Sequence, residues 1–128
     1  MNKKFIAIAL ACVFALTLSS NVMAAPEVHD AMILYYFFDY YGYTEAKMWY
    51  PDVAGNKQGF EIHATYYANG SEYDSGEAAG PLYGWAYWES IGWDRHNSYV
   101  EIVSEYAEYN SSGQLLGYSS TAIDSALT

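Results

Sequence analysis

Alternation between apolar and polar residues, interrupted by turn residues, constrains the fold of this chain most strongly. Between positions 61 and 67, Ile62, Ala64 and Tyr66 alternate with charged or polar side chains. Successive side chains of a β-strand point to opposite faces, so this pattern is typical of a strand with one buried face. The same period of two recurs in three further segments: 44–50, 85–88 and 99–103.

Turn signals separate the alternating segments. Asn69-Gly70 is the strongest of them, because a type I′ turn needs a positive φ at both central positions. The others are Pro51-Asp52, Ala54-Gly55-Asn56, Gly80-Pro81 and Ser112-Gly113. Frequent turns between short strands predict an all-β fold, an antiparallel β-sandwich or a small barrel of about six to eight strands.

Two segments also fit a helix. Residues 26–41 begin with Pro26 and are followed by Gly42, as a helix and its cap would be, so helix and strand both remain open there. Ser98 and Glu101 match a capping box, but the Tyr, Ile and Val residues around them favour a strand. We therefore expect a β-domain, with an N-terminal helix as the open alternative.

A weak internal repeat accompanies the strand pattern. A shift of 33 positions aligns residues 61–93 with residues 94–126 and gives eight identical pairs, among them His63 with His96. Each unit would contain a strand, a glycine-containing turn and a second strand. Two units are too few for a solenoid, so the repeat predicts a duplicated hairpin within one β-domain.

Residues 1–24 have the pattern of a cleaved secretory signal peptide. Lys3 and Lys4 precede an apolar run over residues 5–18, and Val22-Met23-Ala24 is a cleavage site of the small-x-small type. The apolar run is shorter than the about 20 residues that a transmembrane helix needs. The pattern predicts a bacterial protein that is secreted or periplasmic.

Cleavage would leave residues 25–128 as a single acidic, tyrosine-rich β-domain without a transmembrane segment. Cys12, the one cysteine of the chain, would be lost, which excludes disulfides and cysteine metal sites in the mature protein. The mature chain would keep three cations against fifteen carboxylates, a net charge of −12. Such a charge repels nucleic acid and anionic lipid and favours cations, basic partners or neutral ligands.

The histidines are candidate metal ligands. Each follows an acid by two positions: Glu27 and His29, Glu61 and His63, and Asp94 and His96. Residues two apart on a strand share a face, so each acid can pair with its imidazole or share a metal ion with it. We expect a divalent metal site, if the protein has one, at Glu61, His63, Asp94 and His96. A pH response of the same pairs is the alternative.

Aromatic residues suggest a binding surface. The chain has fifteen tyrosines and four tryptophans, and Trp85, Tyr87, Trp88 and Trp93 lie within nine residues. Such side chains have an apolar ring and a hydrogen-bonding end, which suits them to recognition. They predict a binding or interaction protein that uses an acidic aromatic surface, whose partner is a glycan, a protein or another copy of the chain.

The sequence gives no indication of an enzyme. Asp74-Ser75-Gly76 lacks the pattern of a nucleophile elbow. Gly76, Gly80 and Gly84 have the wrong spacing for a phosphate-binding loop. We therefore expect a protein without catalytic residues and without a required cofactor.

A resemblance suggests an alternative function. The segment from Asp74-Ser75-Gly76 to Gly84-Trp85-Ala86-Tyr87 resembles small secreted β-sandwich bacteriocins of the lactococcin type, which are also similar in size class, signal peptide and aromatic strands. The resemblance implies an antibacterial effector with a β-sandwich fold. A metal- or pH-responsive protein that uses the acid–histidine pairs is the second alternative.

Overall fold

The alternating segments form the strands of a two-layer β-sandwich. The computed structural model describes residues 27–48, 57–110 and 112–128, and in this part of the chain seven strands form two antiparallel sheets without closing into a barrel. The strands are β1 (Val28–Tyr36), β2 (Asp39–Lys47), β3 (Lys57–Ala68), β4 (Ser71–Pro81), β5 (Trp85–Glu89), β6 (Tyr99–Asn110) and β7 (Leu115–Leu127). The predicted all-β class and number of strands are confirmed.

One sheet has three strands in the order β1-β2-β5, and the other has four in the order β4-β3-β6-β7. The hairpin of β3 and β4 turns at Asn69 and Gly70, whose φ angles are 51° and 83°. Both values are positive, as the predicted type I′ turn requires. This turn places the alternating residues of β3 and β4 side by side in one sheet.

The segments with a possible helical interpretation are strands. Within residues 26–41 the described part forms β1, a two-residue turn and the start of β2, so the open alternative is resolved as strand. Residues 98–108 lie almost wholly in β6, as the Tyr, Ile and Val content indicated. These β-formers gain more from packing on a pleated surface than the helix caps could supply.

The four-stranded sheet contains two long hairpins, β3–β4 and β6–β7. The 33-residue shift does not superimpose them, because it aligns Asn69 and Gly70 with Ile102 and Val103 in the middle of β6. The identical pairs therefore occupy different places in the two hairpins. The predicted signal peptide, residues 1–24, lies outside the described residues.

A single extra residue determines which face of β4 points inward. The pairing of β3 with β4 shifts register between Tyr66 and Tyr67, which leaves Tyr73 as a β-bulge. A shift of one residue turns the following side chains of a strand to the opposite face. As a result, Gly76 points toward the opposite sheet and Glu77 toward solvent.

Small residues make room for large rings between the sheets. Tyr66 of β3 packs over Gly42 of β2, where an added Cβ would lie 2.7 Å from the ring, and Trp88 of β5 packs over Gly76 of β4. The Tyr66 hydroxyl donates a hydrogen bond to the carbonyl of Tyr40 at 2.9 Å. The other fully buried core side chains include Ala31, Ala46, Phe60, Ile62, Val100, Ile102, Tyr106, Ala107 and Ala122.

A buried chain of hydrogen bonds joins the two sheets. The Asp30 carbonyl oxygen can only accept, so Thr44 donates its hydroxyl proton there, at 2.8 Å, and accepts from Ser104 at 2.7 Å. Ser104 then accepts from the Nε2–H of His29 at 3.0 Å. The Nδ1 atom of the neutral imidazole accepts from Ser120 at 2.9 Å. These hydrogen bonds connect β1 and β2 to β6 and β7.

Within the described residues, no helix is long and apolar enough to cross a membrane.

Titration of His29 should make the stability depend on pH. Burial lowers its pKa from the ordinary 6.5 to about 4. Between these two pH values, His29 is protonated in the unfolded chain and neutral in the folded protein. The contribution is complete above pH 6.5 and is lost as the pH falls through 4, which amounts to about 3 kcal/mol. Urea unfolding between pH 4 and pH 7.5 measures it.

The variant His29→Gln isolates this contribution from that of the carboxylates. We expect its free energy of unfolding to fall less steeply with decreasing pH than that of the unmodified protein. His96→Gln, which removes an exposed imidazole, is the matched control. Parallel pH profiles for His29→Gln and the unmodified protein would contradict the assignment.

Candidate functional site

The outer face of the three-stranded sheet carries aromatic rings and carboxylates together. Pairing of β2 with β5 places Tyr43 opposite Glu89 and Glu45 opposite Tyr87. Because side chains alternate along a strand, these four residues all lie on the same face of the sheet. We call this surface the aromatic–acidic face. Its members are Tyr36, Asp39, Tyr41, Tyr43, Glu45, Trp85, Tyr87 and Glu89.

The rings of this face stack on one another. Trp85 and Tyr87 have centroids 4.9 Å apart and planes 28° apart, and Tyr87 and Tyr43 follow at 6.2 Å and 24°. Tyr36 and Tyr41 form a closer stack, at 4.2 Å and 11°. Tyr87 therefore has two stacked ring neighbours, Trp85 on its own strand and Tyr43 on β2.

Two carboxylates are held among these rings. Glu45 accepts hydrogen bonds from the Tyr43 hydroxyl at 3.0 Å and from the indole of Trp85 at 3.2 Å. Glu89 accepts one from the Tyr36 hydroxyl. The hydrogen bond to Glu89 raises the pKa of Tyr36 to about 12. Burial and the hydrogen bond to Glu45 raise the pKa of Tyr43 to about 12. Both phenols therefore stay neutral donors at physiological pH.

The structure places the four predicted aromatic site residues in three different settings. Trp85 and Tyr87 are on the aromatic–acidic face, with 49% and 54% of their surface exposed. Trp88 lies on the inner face of β5 and packs against the core. Trp93 is half-buried and bridges to Tyr40 through two backbone hydrogen bonds of 2.9 Å. Because β5 alternates, Trp88 cannot share a surface with Trp85.

An unusual turn ends this face. Phe37 and Phe38, which we call the Phe tip, form the two-residue connection between β1 and β2. Their φ angles are 49° and 69°, and they are 85% and 83% exposed. Each residue in this left-handed region costs about 1–2 kcal/mol, which Asn and Gly tolerate better. The chain therefore accepts backbone strain at the place where it also exposes two large apolar rings.

The predicted metal site is partly assembled on the other sheet. Glu61, His63 and Glu77 lie on the outer face of the four-stranded sheet, and their ligand atoms are all within 4.8 Å of one another. We call this group the Glu–His–Glu cluster. The Nε2 atom of His63 contacts Glu61 and lies 3.4 Å from Glu77. Tyr109 donates a hydrogen bond to Glu61 and so orients that carboxylate.

Asp94 and His96 do not join this cluster. Both are exposed in the connection between β5 and β6, and among the described residues the Glu–His–Glu cluster is the one group of three potential ligands. The pKa of Glu61 reflects its neighbours. Burial alone would raise it, but hydrogen bonds from Tyr109 and His63 and the attraction of a charged imidazole outweigh burial and lower it. The Glu61 carboxylate is therefore ionised at neutral pH.

Sequence reasoning missed the partners that strand register supplies. Tyr36, Tyr41 and Tyr43 belong to runs of tyrosines that the sequence places on both faces of any strand, and pairing with β5 decides which of them meet Trp85. Glu77 is one of fifteen acids, and no spacing distinguishes it. The hairpin at Asn69-Gly70 shows that β4 pairs with the strand of His63, but the bulge at Tyr73, which brings Glu77 opposite His63, has no signal in the sequence.

No protein-family model, curated protein or solved structure matches this chain.

Replacing the Phe tip by Asn-Gly should stabilise the protein. The double variant Phe37→Asn, Phe38→Gly supplies the residues that a type I′ turn favours, and we expect a gain of about 1–3 kcal/mol in the free energy of unfolding. The control Phe37→Ala, Phe38→Ala removes the rings and keeps the strain. Thermal and urea unfolding compare the three proteins. An equal gain in both variants would contradict backbone strain as the cause.

Proposed function

We propose that this chain is a non-enzymatic binding protein that is secreted or periplasmic and docks a basic protein segment on the aromatic–acidic face. The observation that supports this proposal is the position of Glu45 and Glu89, which are fixed by hydrogen bonds among exposed, stacked rings. Lysine and arginine side chains suit such a surface. Their charged ends pair with carboxylates while their methylene stems lie along apolar rings.

The stacking of the rings argues for a protein partner over a glycan. A sugar ring needs the flat face of an aromatic ring, but Tyr87 has Trp85 and Tyr43 as stacked neighbours. The face combines these stacked rings with tyrosine hydroxyls and with the carboxylates of Glu45 and Glu89. Tyrosine, tryptophan and arginine contacts of this kind are enriched in protein interfaces.

Charge argues for a basic partner over a second copy. Alternation places Asp39, Glu45 and Glu89 on this face, and Asp30 and Lys47 on the same side of the sheet. Two copies packed through the same face would bring these carboxylates opposite each other, and like charges in an interface are costly. The whole chain has a formal net charge of −10, so its field attracts cationic partners from a distance.

A second candidate function is binding of a divalent metal ion at the Glu–His–Glu cluster. The favouring observation is the convergence of three potential ligands from β3 and β4, with Tyr109 orienting one of them. An imidazole and two carboxylates suit zinc, whose bonds to such ligands are about 2.0–2.2 Å long. Because His63 is half-buried and Glu77 is exposed, water can complete the coordination.

Binding of a nine-residue peptide of alternating arginine and alanine tests the main proposal. Trp85 is half exposed, so its fluorescence should shift when the peptide binds. Trp85→Ala and Glu45→Gln should each weaken binding by about tenfold or more, since each removes a contact of order 1.4 kcal/mol or more. Added salt should weaken binding as well, because the carboxylates supply part of the attraction.

Matched controls lie on the other sheet. Tyr99→Ala removes an exposed ring and Glu72→Gln an exposed carboxylate, and neither should change the affinity for the peptide. Binding that Tyr99→Ala weakens as strongly as Trp85→Ala would contradict the assignment to the aromatic–acidic face. A fluorescence response to sugars, or sedimentation that grows with protein concentration, would favour a glycan or a second copy instead.

Calorimetric titration with Zn²⁺ tests the metal site. We expect one ion per chain, with binding abolished by His63→Ala and weakened by about tenfold or more by Glu77→Gln, because each loses a ligand. His96→Ala should bind as the unmodified protein does, since His96 lies outside the cluster. Zinc binding that survives His63→Ala would overturn the assignment.

A further inference from the structure

We propose that the Phe tip inserts into the interfacial region of a zwitterionic lipid membrane. Phe37 and Phe38 are consecutive, are 85% and 83% exposed, and occupy a turn whose positive φ angles disfavour them. The backbone geometry disfavours two phenylalanines there, and a single edge-to-face contact of Phe37 with Tyr36, at 5.7 Å between ring centroids, leaves both rings largely exposed. A medium that accepts their rings explains the two phenylalanines, and this interaction goes beyond the proposed function of the aromatic–acidic face.

The hairpin projects beyond the sandwich at this end. Tyr35 points to the inner side of the three-stranded sheet, yet 54% of its surface is exposed. On the same strand, Ala31 is fully buried on that side. The opposite sheet therefore covers the start of β1 and leaves its end uncovered. The Phe tip is accordingly a convex protrusion, which can enter a soft medium without requiring a matching cavity.

Tyrosines surround the protrusion on both sides. Tyr36 and Tyr41 stack on the outer side at 4.2 Å, and Tyr35 and Tyr40 contact each other on the inner side at 4.6 Å. A protein interface is usually one-sided, whereas a membrane surrounds an inserted segment from every direction. In the inserted hairpin the phenylalanines at the tip would lie deepest, and the tyrosines behind them would lie at the headgroups. Tyrosine is enriched at that level of a membrane interface.

Charge selects the kind of lipid. The Phe tip is followed at once by Asp39, and Lys47 lies at the far end of the hairpin, beside Val28. The chain as a whole is strongly acidic. Anionic headgroups attract clusters of lysine and arginine. They would repel this protein, because it carries an excess of carboxylates. Insertion therefore depends on apolar transfer into a bilayer of neutral or zwitterionic headgroups, such as phosphatidylcholine.

Sedimentation with phosphatidylcholine vesicles tests the proposal on the full chain. We expect the unmodified protein to bind, and Phe37→Asn, Phe38→Gly to bind at least about tenfold more weakly, since two buried rings are lost. That variant also has the turn residues that the backbone favours, so lost binding cannot be attributed to unfolding. Leu127→Asn, which removes another side chain that is 80% exposed, should bind as the unmodified protein does.

Depth and lipid charge provide two further readouts. In Phe38→Trp, lipids with brominated acyl chains should quench fluorescence more than they do in the unmodified protein. Replacing a third of the lipid by phosphatidylglycerol should weaken binding at low salt. The proposal is overturned if the unmodified protein ignores phosphatidylcholine at millimolar lipid, if the Asn-Gly variant binds equally well, or if only anionic vesicles bind. A protein partner that requires the Phe tip, without vesicle binding, would also overturn it.

The vesicle test changes Phe37 and Phe38, whereas the peptide test changes Trp85 and Glu45, so the two tests can fail separately. Failure of the arginine peptide to bind would remove the proposed function and leave the vesicle result standing. Failure of the unmodified protein to bind vesicles would remove the membrane proposal and leave the proposed function standing.

Discussion

The fold depends on the one-residue bulge at Tyr73. A two-residue turn at Asn69-Gly70 without the bulge would pair His63 with Gly76, whereas the observed partner is Glu77. In that unshifted register Glu77 would point into the sandwich and Gly76 would leave the position beneath Trp88. The core would then contain a carboxylate and would lose the glycine that makes room for the indole of Trp88. This change would cost free energy through poorer packing and through desolvation of the carboxylate. The bulge therefore serves the core and the Glu–His–Glu cluster at once.

The polar chain through His29 adds a second requirement of register. A buried imidazole is tolerated because both of its nitrogens are hydrogen-bonded. Ser104 accepts from Nε2–H, and Ser120 donates to Nδ1. The two serines come from neighbouring strands of the opposite sheet. Buried polar groups cost free energy unless every partner is present. The network is satisfied in one arrangement of the sheets, so it favours that alignment over others that would bury the same apolar surface.

Local patterning predicted the strands and their faces but not the partners across them. Period-two alternation assigned Ile62, Ala64 and Tyr66 to one face, and all three are buried. The same alternation separates Trp85 from Trp88, although both lie in the predicted aromatic surface. Which tyrosines meet Trp85, and which acid meets His63, depends on pairing between distant segments. A single bulge changes that pairing, and bulges leave little signal in a sequence.

The Phe tip is the place where local and global preferences disagree. Turn chemistry favours Asn-Gly, and the chain has these residues at Asn69-Gly70, in the hairpin of β3 and β4. At Phe37 and Phe38 it has the same two-residue connection with the opposite residue chemistry. Natural sequences violate local rules mainly where function requires it. Under the membrane proposal that requirement lies in the rings, since the backbone conformation is available without them.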